Sequence, residues 1–146
     1  MLRSPAKQES SLRSARKFLQ SERTGCSKKS DFDQLQFISA QARQRYLEIP
    51  TLAHVAHVPP LSIQRLQSCY LKGAVECNTS EIIGFVAVRP LDGLLYLDNI
   101  SVASQQSGRG IGAALLQSAF VEAITLQTPA IALTTFRKPT WNAPWF

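Results

Sequence analysis

Apolar positions along this chain fall into three regimes. Up to residue 30 they are scattered, from about 31 to 71 they recur at helical spacing on either side of a proline-bearing stretch, and from 82 onward they run in apolar blocks broken by turn residues. In the middle regime Leu35, Ile38, Ala42 and Tyr46 share one face of a helix. Ser30-x-x-Asp33 ahead of them is a candidate capping box. The spacing predicts an amphipathic helix over about 32–47, ended before Pro50. Residues 50–60 hold three prolines and no period, which reads as a loop. Ser62 then has the character of an N-cap, with Leu61 and Leu66 placed as a hydrophobic staple, for a short helix to about Leu71.

The third regime predicts a hairpin first. Ile82–Arg89 and Leu94–Val102 flank Pro90-Leu91-Asp92-Gly93, and Asp-Gly is a strong turn signal. A polar loop, Ala103–Gly108, leads into Gly110–Leu126, where Ile111, Leu115, Ala119 and Val121 to Leu126 give a helix with a broad apolar face. Pro129 resets the chain, and Ala130–Phe136 reads as a buried strand. Strand, helix and strand in that order make a βαβ unit, whose crossover is right-handed and whose strands are parallel. The expected fold class is α+β, or mixed α/β.

Charge changes the picture of the first 30 residues. They carry eight of the 16 Lys and Arg against only Glu9 and Glu22, while residues 31–146 hold eight bases and eight acids. The surplus of +6 therefore belongs to a Ser-rich tail, and the remainder is neutral. That pattern excludes a basic nucleic-acid-binding domain. The division expected is a tail over 1–30, read as disordered or as a transit peptide, and a domain over 31–146. No run of 18 apolar residues occurs, so no transmembrane helix and no membrane partner is predicted. Cys26, Cys69 and Cys77 are odd in number and match no metal-ligand spacing, which reads as reduced thiols in a cytoplasmic protein, with mitochondria as the alternative. Asn78-Thr79-Ser80 reads as a turn. His54 and His57 lack a third partner for a metal and read as loop or substrate-side residues. Trp141 and Trp145 read as core or lid aromatics.

Candidate chemistry centres on Ser107-Gly-Arg-Gly-Ile-Gly112. Alternate glycines let backbone approach a ligand closely, and the helix that follows offers unpaired N–H groups and a dipole to an anion. A pyrophosphate suits this arrangement, with Arg109 adding a charged contact. Gly108-x-Gly110-x-x-Ala113 also satisfies the dinucleotide fingerprint. However, the glycines lie five residues past the strand, no acid follows Glu122, and 34 residues are too few for the remaining strands. NAD is therefore not expected. No Gly-Lys-Ser/Thr follows, so a Walker loop is excluded.

Two stretches carry a resemblance. Leu95-Tyr-Leu-Asp-Asn-Ile-Ser-Val102 followed by Gln105-Gln-Ser-Gly-Arg-Gly-Ile-Gly-Ala-Ala-Leu-Leu116 is similar to the acetyl-CoA-binding core of the GNAT superfamily of N-acetyltransferases. Leu133-Thr-Thr-Phe-Arg-Lys-Pro-Thr-Trp-Asn-Ala-Pro-Trp145 resembles a subgroup with an LTTFR…WNAP signature. The resemblance spans about 32–146. It implies a twisted mixed sheet flanked by helices, which in that family goes on to a last helix and β-hairpin beyond the position of Phe146. It also implies acetyl-CoA as acyl donor, with no metal. The pyrophosphate would sit on the loop Ser107, Gly108, Arg109, Gly110, Ile111, Gly112 and Ala113. Ile100, Ser101 and Val102 would line the pantetheine, and Asn142 would help bind it. Ser107 stands where a long Arg or Gln is usual, and Phe146 where a proton-donating Tyr commonly sits. The family's first strand would precede the Ser30 helix, where Glu22–Lys29 is a poor strand sequence.

Direct acyl transfer needs a deprotonated amine, an anion-stabilising N–H and a proton source for the thiolate. Asp98 is the candidate general base, with a hydrogen-bonded strand carboxylate as its other reading. The backbone N–H near Ile100 is the oxyanion contact, and with Phe146 in the acid position water or the amine product supplies the proton. The function expected is an acetyl-CoA-dependent N-acetyltransferase acting on an unidentified primary amine. The alternative is a non-catalytic CoA-binding or protein-interaction module. An uncovered strand at 130–136 would present an apolar edge and favour a homodimer.

Overall fold

The computed structural model describes residues 19–20, 29–76 and 79–146. The elements in chain order are β1 (Leu19–Gln20), α1 (Lys29–Arg43), α2 (Ile63–Gln67), β2 (Tyr70–Val75), β3 (Ile82–Leu91), β4 (Leu94–Val102), α3 (Ile111–Thr125) and β5 (Ile131–Ala132). Short 3-10 turns cover Gln44–Glu48, Pro50–His57 and Ser104–Gln106. The strands form one sheet in the order β1-β2-β3-β4-β5. Pairing is antiparallel from β1 to β4 and parallel between β4 and β5.

The β3–β4 hairpin forms where the apolar runs place it. Its strands meet at Leu91 opposite Leu94, and Asp92 and Gly93 take φ of 50° and 78°. Two successive positive φ values suit the right-handed twist of the flanking strands. Alternation along this hairpin builds two cores. Val86, Val88, Leu95 and Leu97 pack with Ile111, Leu115 and Ala119 of α3, while Phe85 and Ala87 pack with Phe32, Leu35 and Ile38 of α1 and with Leu66 of α2. Gly84 brings α3 close to the sheet, since a Cβ there would stand 3.1 Å from the Ser101 carbonyl oxygen and 3.3 Å from Ile111 and Leu115.

Several expectations change. The first helix begins at Lys29, so Ser30 lies inside it and the capping box at Ser30 does not form the helix start. Residues 50–57 wind into 3-10 turns instead of an open loop, with Pro50 at a first-turn position that needs no N–H. Ser62 does cap α2, accepting from the Arg65 N–H at 3.1 Å, and Leu61 and Leu66 share one core, but α2 ends at Gln67. Tyr70–Val75 is then a strand, not the end of a helix, because β1 and β3 pair with it on either side. β1 draws Leu19 and Gln20 of the predicted tail into the sheet. The remaining residues of 1–28, including Cys26, lie outside the described residues, as do Cys77 and Asn78. Around them, Ser80 N–H donates to the Glu76 carbonyl at 2.9 Å and Glu76 N–H to the Glu81 carbonyl at 2.8 Å, closing the β2–β3 turn.

The predicted strand Ala130–Phe136 shortens most. Only Ile131 and Ala132 pair with β4, opposite Leu95 and Tyr96, and the chain then leaves the ladder. The apolar edge expected to drive dimerisation is thereby reduced to two half-buried residues.

Candidate active site

The divergence of β4 and β5 opens a cavity of about 840 Å³. One wall is the C-terminal half of β4, Asn99 to Val102, followed by the glycine loop and the start of α3. The facing wall is Leu133–Phe136 with Trp141, Asn142, Trp145 and Phe146. Ala42 and Arg43 at the end of α1, Arg45 and Tyr46 in the turn that follows, and the 3-10 turn at His54 and Val55 close it.

The glycine loop has the geometry that its composition anticipates. Gly108 and Gly110 take φ of 82° and 79°, in the left-handed region that side chains other than Gly rarely adopt. Gly110 is the N-cap of α3, and the first helical bond runs from the Ala114 N–H to its carbonyl at 3.1 Å. The N–H groups ahead of Ala114 in that turn have no helical acceptor, and the helix dipole adds positive potential there. At Gly112 a Cβ would come within 3.3 Å of the Trp145 ring. Of the predicted binding residues, Ile100, Ser101, Val102, Ser107, Gly108, Gly110, Ile111, Gly112, Ala113 and Asn142 all line the cavity. Arg109 does not. Its guanidinium turns back to Glu76 at 3.2 Å and to Gln106.

Asn142 is more than a lining residue. Its Nδ2 lies 2.7 Å and its Oδ1 3.0 Å from the Tyr46 hydroxyl, and Thr135 donates to the same Oδ1 at 2.9 Å. Tyr46 in turn packs edge-on against Phe136 and Trp141. One amide thus ties the 3-10 turn that follows α1 to a segment 96 residues later. Sequence reasoning placed Tyr46 only as a helix-face apolar residue, and no local signal marks it as a cavity residue.

Asp98 stands apart from the cavity lining. In the β3–β4 register Ala87 faces Asn99 and Val88 faces Leu97, which leaves Asp98 as an unpaired bulge residue. Its carboxylate is 6% exposed, and Oδ2 accepts from Arg89 Nε at 2.8 Å, from Arg65 Nε at 3.0 Å and from the Cys69 thiol at 3.4 Å. Of the two readings of Asp98, this geometry favours the hydrogen-bonded structural carboxylate over the general base. Burial first, and then the hydrogen bond to Asp98 and its charge, push the Cys69 thiol up to about 11. His54 lies on the cavity and His57 does not. Among the described residues no group of three His, Cys, Asp or Glu is placed to hold a metal.

Comparison with known proteins agrees with this fold. Solved structures share the fold. The PaiA N-acetyltransferase of Thermoplasma acidophilum, solved with coenzyme A, superposes with a TM-score of 0.61 at 16% identity over 80% of this chain and 79% of its own. A mutant of the BH1408 protein of Bacillus halodurans gives 0.58 at 16% identity over 73% and 78%. The ribosomal-protein-alanine N-acetyltransferase of Brucella melitensis gives 0.52 at 20% identity over 80% and 82%. The description "Acetyltransferase (GNAT) family" matches residues 37–140, well over half of the sequence, and the chain belongs to that family.

Proposed function

We propose that the protein transfers an acetyl group from acetyl-CoA to a primary amine. The observation that supports this best is the joining of two features in one cavity. A glycine loop with unpartnered N–H groups opens into a cleft between two strands that have ceased to pair. The donor supplies an activated thioester. Amine attack forms the C–N bond and breaks the C–S bond, and the amine proton leaves through solvent while the thiolate takes one up.

The chain's own residues bind and orient. The N–H groups of residues 108–113 hold the pyrophosphate without needing Arg109, which is engaged by Glu76. Ile100, Ser101 and Val102 on one side and Leu133 to Thr135 on the other flank the pantetheine arm. The Asn142–Tyr46–Thr135 hydrogen bonds keep that cleft from collapsing. Phe146 lines the cavity without a hydroxyl, so the thiolate takes its proton from water or from the product amine. No Asp or Glu side chain lines the cavity among the described residues either, which favours a second reading as a CoA-binding module without turnover.

Calorimetric titration with acetyl-CoA, with NAD as control, separates these readings. Saturable binding of acetyl-CoA alone, lost in Gly110→Glu, together with CoA release on adding amines, is the expected result. Binding without CoA release across an amine panel selects the second reading. An absence of binding by folded protein overturns both.

A further inference from the structure

We propose that the acceptor amine carries a carboxylate, recognised by the cavity wall formed by Arg45, His54 and Trp141; the proposal rests on the acetyl-transfer reading above. The basic side chains on the cavity are Arg43, Arg45 and His54, and among the described residues no Asp or Glu lines it. The four salt bridges of the described residues, at Arg65, Arg89, Lys72 and Arg109, involve no residue that lines the cavity. Neither Arg43 nor Arg45 has a carboxylate partner among these. The wall thus presents positive charge that the rest of the described chain does not neutralise, and such a site draws anions and repels cations.

The two arginines have different tasks. Arg43 Nη1 donates to the carbonyls of Val58 and Pro59 at 2.7 and 2.8 Å, which straps the 3-10 turn to the end of α1. Arg45 makes no such strap. Its guanidinium lies over the Trp141 ring at 5.0 Å and has no hydrogen-bond acceptor among the described residues, which leaves its forked N–H donors for a bidentate acceptor. Trp141 adds a second, independent sign. Its indole Nε1 is buried without a hydrogen-bond partner, although Trp141 lines the cavity. Buried donors are nearly always satisfied, and a small turn of this ring would present the orphaned donor to a ligand oxygen held by Arg45. A polycationic amine would meet like charge at Arg45 and no Asp or Glu here.

The anion has two sources, the acceptor's carboxylate or a phosphate of CoA, and the experiment separates them. CoA release is followed with the 20 standard amino acids, their carboxamides and spermidine, and acetyl-CoA binding is measured by calorimetry on the same protein. The expected result is turnover of at least one carboxylate-bearing amine with kcat/KM about tenfold or more above that of its amide. Arg45→Met raises the KM of that acceptor about tenfold, removes the preference over the amide and leaves the acetyl-CoA Kd within about twofold. Arg45→Lys restores the charge without the fork and recovers part of the preference. Turnover confined to amides or spermidine, or none with carboxylate-bearing amines, overturns the proposal even where acetyl-CoA binds. A rise in the acetyl-CoA Kd of Arg45→Met with an unchanged acceptor preference assigns the wall to a CoA phosphate and overturns it too. Loss of acetyl-CoA binding by the unmodified chain instead brings down the acetyl-transfer reading itself.

Discussion

Two charged regions of this molecule handle their polar groups in opposite ways. Around Asp98, the carboxylate, two guanidiniums and a thiol satisfy one another across β4, β3, α2 and the turn before β2. Around the glycine loop and its facing wall, helix-terminal N–H groups, the Arg45 guanidinium and the Trp141 indole are left without protein acceptors. A cluster that closes on itself stabilises the fold and has little left for a ligand. A wall that leaves its donors open is stable only while solvent or a ligand completes it. The contrast favours the cavity over Asp98 as the place for ligand chemistry, although Asp98 lies in the motif that resembles the acetyl-CoA-binding core.

The sharpest way to break the comparison is at the loop. Gly110→Glu forces a side chain into a φ of 79° and points a negative charge toward the anion site. It should weaken acetyl-CoA binding by at least about a hundredfold in calorimetry, through the loss of several N–H contacts to a charged group. Next, Asp98→Asn leaves two partly exposed guanidiniums without their carboxylate. It should lower unfolding stability by about 2 kcal/mol in urea titration, discounted for the exposure of Arg65, with kcat close to that of the parent. A general base would behave otherwise. Its removal would cut kcat by about 10²–10⁴ with stability little changed, and that outcome would restore Asp98 to the catalytic role.

The thiol of Cys69 sharpens the same side. With its pKa pushed up to about 11, the thiolate fraction at pH 8 falls about a hundredfold, and the higher basicity of the thiolate returns about tenfold of that. Alkylation of Cys69 by iodoacetamide, followed by mass spectrometry of its peptide, should run about tenfold slower than for an unfolded control at pH 8. The rate should climb as pH rises toward 11, because the thiolate is the reacting form. Asp98→Asn should speed the reaction at pH 8, since it removes a neighbouring negative charge and replaces a carboxylate acceptor with a weaker neutral amide. The smallest effect belongs to Gly112→Ala. Its Cβ meets the Trp145 ring at 3.3 Å, a contact that the half-buried indole relieves by a small shift. Acetyl-CoA affinity should fall only about threefold.

Much of the fold was legible because its cues are local. The Asp92-Gly93 turn, the Ser62 cap and the glycines ahead of Ile111 act through their own backbone and nearest neighbours, and each formed where the residues indicated. The loop half of the candidate site was legible for the same reason. β2 was not, since Lys72 and Gly73 interrupt its apolar pattern and its backbone pairs are supplied by β1 and β3. The facing wall of the cavity was equally hidden. Tyr46 meets Asn142, Arg45 meets Trp141 and Arg65 meets Asp98 only after the sheet has brought distant segments together. On its own, then, the sequence determined the hairpin, the helix capped by Ser62 and the glycine turn ahead of Ile111, since those follow from short-range sterics and hydrogen bonding. Tertiary structure alone decided which charges are paired and which remain open to a ligand, because pairing depends on contacts between residues that no periodicity relates.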